Sequence, residues 1–151
     1  MRFIQLNMKK AFVAAVELAK YLEGKENFTC LITEPYRHKE KIAMVPTGVN
    51  QICSSRNARA AIFYKGTLDL LGIESLTIED CAVGLLKTQS QKNLIASVYL
   101  DINNDTIPSW LDKIMKYARQ KRYPVLIGMD SNAHSSSVSY THLTLPTIYS
   151  V

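Results

Sequence analysis

Residues 124–134, PVLIGMDSNAH, decide the predicted fold of this 151-residue chain. The apolar run ends at Gly128 and is bounded by turn-forming residues, which indicates a buried strand. Asp130, Asn132 and His134 then follow at alternate positions, where α/β proteins place chemistry at the carboxyl ends of strands. The same residue types form ordinary turns, so this segment alone predicts either a turn or a site.

The composition is that of one soluble globular domain, with 47% hydrophobic and 21% charged residues. No apolar stretch approaches the roughly 20 residues that are needed to cross a bilayer. Lys9 and Lys10 interrupt the apolar N-terminal region, which argues against a signal peptide and indicates an intracellular protein with no membrane partner. The formal net charge of +5 favours a polyanionic partner without identifying it.

The three cysteines, Cys30, Cys53 and Cys81, are odd in number, widely spaced and set in apolar segments. This pattern predicts neither a disulfide framework nor a zinc site. Free cysteines are among the residues most often buried in proteins, so we expect three buried thiols.

Hydrophobic periodicity predicts a mixed α/β fold with helices on the outer faces of mostly antiparallel sheets. One amphipathic helix is expected from Lys10 to a stop at Gly24, and a second over residues 107–120. Asp105 or Thr106 is expected to cap the second helix, with Pro108 in its first turn. Short apolar runs predict strands at residues 2–7, 29–33, 41–45, 51–54, 60–64, 81–86, 94–100 and after Pro124.

Several of these strands end in polar side chains. Asn7 ends the first strand, Glu34 follows the second, Tyr99 ends a later one, and Asp130 and Asn132 follow the last. Each residue alone is explained as a polar strand end, a half-buried aromatic or a turn former. Together they predict a site with oxygen ligands, and a carboxylate such as that of Glu34 suits Mg²⁺.

At these residues the chain resembles the endonuclease domains of non-LTR retrotransposons, which belong to the exonuclease-endonuclease-phosphatase superfamily. The matching motifs are QLN at 5–7, TEP at 33–35, SVYLD at 97–101 and GMDSNAH at 128–134, where Met129 and Ser131 depart from the family's GDFNAH-like pattern. The resemblance extends from residue 2 to about residue 136. It implies part of a DNase I-like four-layer α/β sandwich, whose second half is largely missing.

The resemblance also implies a role for each matched residue. Glu34 and Asn7 correspond to the metal site, with Mg²⁺ as the expected cofactor and Mn²⁺ as the alternative. Tyr99 corresponds to the phosphate-contacting tyrosine. Asp130 corresponds to the residue that orients or activates the attacking water, and Asn132 to the one that stabilises the transition state. His134 lies beyond the matched pair and is expected to have a loop or hydrogen-bonding role.

The implied activity is metal-assisted nicking of a DNA phosphodiester, which leaves a 3′-hydroxyl to prime reverse transcription. The implied partners are target DNA and, within a parent polyprotein, a reverse transcriptase domain and the element RNA; the implied site of action is the nucleus. Six basic residues in loops are candidates for contacting the DNA backbone: Arg37, His38, Lys39, Lys41, Arg56 and Arg59. Charged residues of this kind are more often simply solvated. The basic residues of the second helix are expected to be solvated too.

Residues 138–151, VSYTHLTLPTIYSV, have a different character from residues 1–137, which are assigned to the endonuclease domain. They contain no Asp, Glu, Lys or Arg and match no family motif. They resemble the translation of a sequencing-library adapter, and we expect no selected structure there, although β-branched and Tyr residues favour a strand. The family's general-base His and its orienting Asp have no counterpart, so we expect this chain alone to be inactive.

Two other interpretations fit part of this pattern. A phosphoesterase of the same superfamily that acts on lipid or inositol phosphates would use the same metal-binding residues. A non-catalytic DNA-binding module would retain the fold and the basic loops, and would bind DNA without metal and with strong salt dependence.

Overall fold

Two mixed β-sheets flanked by two helices make up the part of the chain that the structure describes. The computed structural model covers residues 2–66, 69–101, 107–130 and 147–150. Its elements in chain order are β1 (Arg2–Asn7), α1 (Phe12–Leu22), β2 (Phe28–Thr33), β3 (Arg37–His38), β4 (Lys41–Ile42), β5 (Asn50–Cys53), β6 (Ala60–Lys65), β7 (Asp69–Gly72), a 3-10 turn (Glu74–Leu76), β8 (Cys81–Lys87), β9 (Lys92–Tyr99), α2 (Ser109–Lys121), β10 (Val125–Asp130) and β11 (Thr147–Ser150).

Each main sheet contains one parallel pair of strands whose crossover includes a helix. The first sheet has the order β11-β1-β2-β6-β5, in which β1 and β2 are parallel and α1 lies between them in sequence. The second has the order β10-β9-β8-β7, in which β9 and β10 are parallel and α2 lies between them. The other pairings are antiparallel, and β3 pairs with β4 as a separate two-stranded ribbon.

Three hydrophobic clusters stack these elements into four layers, helix on sheet on sheet on helix. Leu18 and Leu22 of α1 pack against the outer face of the first sheet. Ile114 and Ala118 of α2 pack against the outer face of the second sheet. The residues between the two sheets are Leu31, Ile52, Ile62, Leu70, Ala82, Leu86 and Ile95. The predicted four-layer α/β sandwich is therefore confirmed.

The two sheets approach each other closely where β10 crosses β2. A side chain at Gly128 would place its Cβ 2.6 Å from Leu31 Cδ1 and 2.9 Å from Leu31 Cβ, which are shorter than any real contact. Nearby, the fully buried Ser97 hydroxyl donates a hydrogen bond of 2.8 Å to the Ile32 carbonyl. Gln5 Nε2 donates to the Met129 carbonyl at 2.9 Å. Glycine and two polar links thus fix the spacing of the sheets.

Both predicted helices form, but each begins two residues later than expected. α1 begins at Phe12 because Lys9 and Lys10 have left-handed backbones, with φ of 50° and 58°. α2 begins at Ser109, so Pro108 occupies the capping position rather than the first turn; it offers no capping side chain. Asp105 and Thr106, the expected caps, lie outside the described residues. Among the described residues, no helix is long and apolar enough to cross a membrane.

The predicted strands are found, β1 with its predicted bounds and the others with altered ends. β10 continues through Asp130 instead of ending at Gly128, because it stays paired with β9 up to the pair Asp130–Tyr99. The strand expected at residues 41–45 stops after Ile42, and Met44 has a left-handed φ of 62°, which breaks extended pairing. β3 and β7 were not predicted; they have two and four residues and are defined by their partner strands.

The cysteines are free, and two of them are buried as expected. Burial raises the pKa of the Cys30 thiol to about 12, and burial followed by the charge of Asp80 raises that of Cys81 to about 12. Cys53 is only half-buried, contrary to the expectation, because it ends β5 at the edge of the first sheet.

Part of the segment expected to lack selected structure forms a strand. β11 pairs antiparallel with β1, from Arg2–Ser150 to Gln5–Thr147. This agrees with the strand preference of its Thr, Ile and Tyr residues. Residues 131–146 lie outside the described part of the chain, and with them Asn132 and His134.

The sheet contact at Gly128 can be tested with Gly128→Ala. The added methyl group must displace Leu31, so we expect a loss of about 1–3 kcal/mol in the free energy of unfolding, measured by urea denaturation. Gly24→Asn is the matched control, because a Cβ at Gly24 meets nothing within 4 Å and Asn tolerates its φ of 70°. Equal stability of Gly128→Ala and the unmutated chain would contradict the packing argument.

Candidate active site at the paired strand ends

The carboxyl ends of the two parallel strand pairs meet at one edge of the sandwich. In the first sheet, Asn7 pairs with Thr33, and Glu34 follows directly. In the second, Asp130 pairs with Tyr99. The Asn7 side-chain Nδ2 donates a hydrogen bond to Asp130 Oδ2 and so connects the two ends. The structure thus brings together the four predicted site residues that it describes.

Asn7 is held from both sides of its amide group. Its Oδ1 accepts a hydrogen bond of 2.7 Å from the Lys9 backbone N–H, while its Nδ2 donates to Asp130. The left-handed conformation of Lys9 turns that N–H back toward the amide. Because both polar atoms are engaged, this geometry favours a role for Asn7 in orienting the Asp130 carboxylate.

Glu34 has an unusual backbone conformation. Its φ is 46°, in the left-handed region that non-glycine residues seldom adopt. Its N–H donates to the Arg59 carbonyl at 2.8 Å, and its own carbonyl accepts from Lys10 N–H at 2.8 Å. Buried Pro35 follows. Strain of this kind is concentrated at functional sites, where the surrounding contacts maintain it.

Tyr99 lies among several charged groups. Its pKa is raised, first by partial burial and then by the carboxylates of Glu34 and Asp101, with a smaller effect from Asp130; Arg59 acts in the opposite direction. The phenol therefore keeps its proton at neutral pH and remains a hydrogen-bond donor. These couplings also place Glu34 and Asp130 in the electrostatic surroundings of one hydroxyl group.

Arg59 is the residue whose position the sequence did not predict. Its guanidinium donates to Asp80 through Nε at 2.5 Å and through Nη2 at 2.8 Å, and to Asp101 through Nη1 at 3.5 Å. Its Cζ lies 5.1 Å from the centroid of the Tyr99 ring. It had been grouped with the candidates for DNA-backbone contact, but it faces these carboxylates instead. Only the acidic residues before β8 and after β9 hinted at such partners.

The other basic candidates have different surroundings from those of Arg59. His38, Lys39 and Lys41 are exposed on the β3–β4 ribbon. Arg37 donates to Asn57 Oδ1 at 3.1 Å, and Arg56 forms an exposed ion pair with Glu40 at 3.5 Å. Exposed pairs of this kind contribute little to stability, so these side chains can exchange their partners for a phosphate.

The donor set fits a hard divalent cation. Glu34 and Asp130 offer carboxylate oxygens, and Mg²⁺ is usually held by one or two carboxylates, with water and substrate phosphate completing its shell. No group of three or more His, Cys, Asp or Glu side chains close enough to hold a metal occurs among the described residues.

Two retrotransposon proteins resemble this chain in sequence. It is 24% identical over 135 residues to the putative 115 kDa protein in the type-1 retrotransposable element R1DM of Drosophila melanogaster, covering 88% of this chain and 13% of that protein. It is 26% identical to the solved endonuclease domain of TRAS1, a telomere-specific non-LTR retrotransposon, with a TM-score of 0.69 over 89% of this chain and 60% of that one. No protein-family model matches.

More distant solved structures share the fold. Humanized D. rerio TDP2 superposes with a TM-score of 0.55 at 14% identity, covering 90% of this chain and 64% of that chain. SmcL superposes with a TM-score of 0.52 at 9% identity, covering 91% and 65%. At these identities the likeness concerns the fold alone. With the matches in sequence and structure taken together, the chain is similar to the endonuclease domains of non-LTR retrotransposons and has a DNase I-like α/β fold.

Proposed function

We propose that this chain carries the metal- and phosphate-binding half of a Mg²⁺-dependent DNA endonuclease. The observation that carries the proposal is the Asn7–Asp130 hydrogen bond, which joins the two sheets beside Glu34 and Tyr99. Glu34 would hold Mg²⁺, or Mn²⁺ in its place, near the Asp130 carboxylate. Asn7 would contribute by keeping Asp130 in its orientation, in addition to any contact with the metal shell.

The chain's own residues would divide the work of phosphodiester cleavage. Asp130 would orient the attacking water, and the neutral Tyr99 hydroxyl would donate a hydrogen bond to a non-bridging phosphate oxygen. Asn132 would donate to the pentacovalent transition state. A divalent cation, when bound, would offset negative charge on the scissile phosphate. In-line attack at phosphorus breaks the bond to the 3′ oxygen, which leaves as a hydroxyl.

DNA is the substrate that the sequence relatives favour. The proteins that match at 24% and 26% identity come from retrotransposons, which supports a nuclease over a phosphoesterase for lipid or inositol phosphates. The net charge of +5 and the exposed basic residues of the ribbon that follows Glu34 in sequence suit a polyanion. We further propose that the 3′-hydroxyl primes reverse transcription in the nucleus, within a polyprotein that also contains a reverse transcriptase domain and binds the element RNA.

The general base of the family has no proposed counterpart within residues 1–137. We therefore assign it, and the Asp that orients it, to a segment outside this range. We therefore expect the described residues to bind the metal ion. We do not expect them to be sufficient for DNA cleavage.

Metal binding can be tested on the full 151-residue chain with Mn²⁺ as the probe, by calorimetry and by paramagnetic broadening in NMR spectra. Glu34→Gln removes a charged ligand without changing side-chain size, so we expect Mn²⁺ affinity to fall at least about tenfold. Glu17→Gln is the control, because Glu17 is exposed on α1 and pairs only with Lys20 among the described contacts. Equal affinity of Glu34→Gln and the unmutated chain would refute the metal site.

Cleavage can be tested by nicking of supercoiled plasmid in the presence of Mg²⁺. We expect no robust nicking by these 151 residues, since no residue of the chain matches the family's general-base His and its orienting Asp. We expect salt-sensitive DNA binding to be retained. Robust nicking that Glu34→Ala abolishes would show that the base lies within the chain. DNA binding that is unaffected by metal and by Glu34→Ala would favour the non-catalytic DNA-binding module.

The protonation state of Tyr99 makes a separate prediction. Since the folded pKa is raised above the ordinary value of 10.0, the phenol should titrate late in NMR spectra of ring-labelled tyrosine, with Tyr99→Phe identifying its signal. Its contribution to stability is fully present below pH 10 and is lost as pH rises through the folded pKa. Unfolding free energy should thus fall more steeply above pH 10 in the unmutated chain than in Tyr99→Phe. An early or ordinary titration would contradict this.

A further inference from the structure

We propose that Arg59 is a positioning residue of this site, which sets the place of the Tyr99 phenol relative to Glu34 by binding Asp80 and Asp101 and by lying against the Tyr99 ring. The catalytic meaning of the placement rests on the proposed nuclease function. The placement itself rests on contacts that involve neither metal nor DNA.

Main-chain hydrogen bonds connect Arg59 to one half of the site and Asp80 to the other. The Arg59 carbonyl accepts from the Glu34 N–H at 2.8 Å, in the first sheet. The Asp80 carbonyl accepts from the Tyr99 N–H at 2.9 Å, in the second sheet. The Arg59 N–H also donates to the Glu79 carbonyl at 2.7 Å. The side-chain pair of Arg59 and Asp80 therefore closes a continuous path from Glu34 to Tyr99.

The geometry of that pair requires arginine. Two neighbouring nitrogens of the Arg59 guanidinium meet the two oxygens of Asp80, and a third nitrogen reaches Asp101. The side chains of Arg59, Asp80 and Asp101 are 33%, 18% and 30% exposed, so water screens these contacts only in part. A lysine carries the same charge but cannot form a two-pronged contact and a third one in a single plane.

The positive charge of Arg59 also acts on Tyr99. Glu34, Asp101 and Asp130 act on the Tyr99 hydroxyl, and Arg59 is the cation that opposes them in this part of the described structure. Its guanidinium lies 5.1 Å from the ring centroid, within the range of a cation–π contact. Without it, the Asp80 carboxylate would lose its two-pronged cationic partner where a phosphate must approach Tyr99.

The test compares Arg59→Lys with Arg56→Lys, both in the full chain. Arg56 is the matched control, because its ion pair with Glu40 is exposed, and no described contact links Arg56 or Glu40 to Tyr99. The readout is the NMR signal of the Tyr99 ring in tyrosine-labelled protein, assigned with Tyr99→Phe. We expect Arg59→Lys to shift that signal more than those of the other tyrosines, with the fold retained, and Arg56→Lys to leave it in place.

An unchanged Tyr99 ring signal in folded Arg59→Lys would overturn the proposal. If Arg59→Lys fails to fold, Asp101→Asn replaces it, because this change weakens the 3.5 Å contact with Arg59 Nη1 and leaves both Arg59–Asp80 contacts in place; a smaller shift of the Tyr99 ring is expected, and no shift would overturn the proposal. Mn²⁺ affinity should be the same in Arg59→Lys and the unmutated chain, since Glu34 is intact. The ring shift is measured without metal or DNA, so it decides the role of Arg59 even if the Glu34→Gln test refutes the proposed function.

Discussion

The spacing between the two sheets at Gly128 is the constraint on which the site depends. Packed sheets usually lie about 10 Å apart, with side chains from both faces filling the space. Here Leu31 occupies the volume that a side chain on β10 would need. The closer approach allows Ser97 to bond to the Ile32 carbonyl and Asn7 to reach Asp130. A site divided between two sheets is thereby held by backbone proximity instead of by long flexible side chains.

The same strand–helix–strand unit occurs in both sheets, which explains why the polar residues at the strand ends lie close together. In each main sheet, a parallel pair is made by a crossover helix, and both members of the pair end at the same edge. The apolar faces of the helices and the inter-sheet cluster orient the two pairs relative to each other. The packing of the layers therefore brings the strand ends together. Among the site residues, the Asn7–Asp130 hydrogen bond then connects the two sheets.

The sequence predicted those parts of the molecule that have local signals. Alternating and apolar runs identified most strands, and strand ends identified Asn7, Glu34, Tyr99 and Asp130. The role of Arg59 was not predictable, because its partners lie 21 and 42 residues away and nothing in the local pattern of NARAAIF distinguishes an inward arginine from a solvated one. The start of α1 was misplaced because consecutive left-handed lysines carry no clear sequence signature.

The backbone of Glu34 has a consequence for how position 34 tolerates substitution. A left-handed residue costs about 1 kcal/mol or more unless it is Gly or, to a lesser extent, Asn. A glutamate here is therefore less favourable to the fold than either of those residues, and its carboxylate is present at the expense of folding energy. If the proposed metal site is lost, replacement of Glu34 by Gly or Asn becomes a change that stabilises the fold at no functional cost.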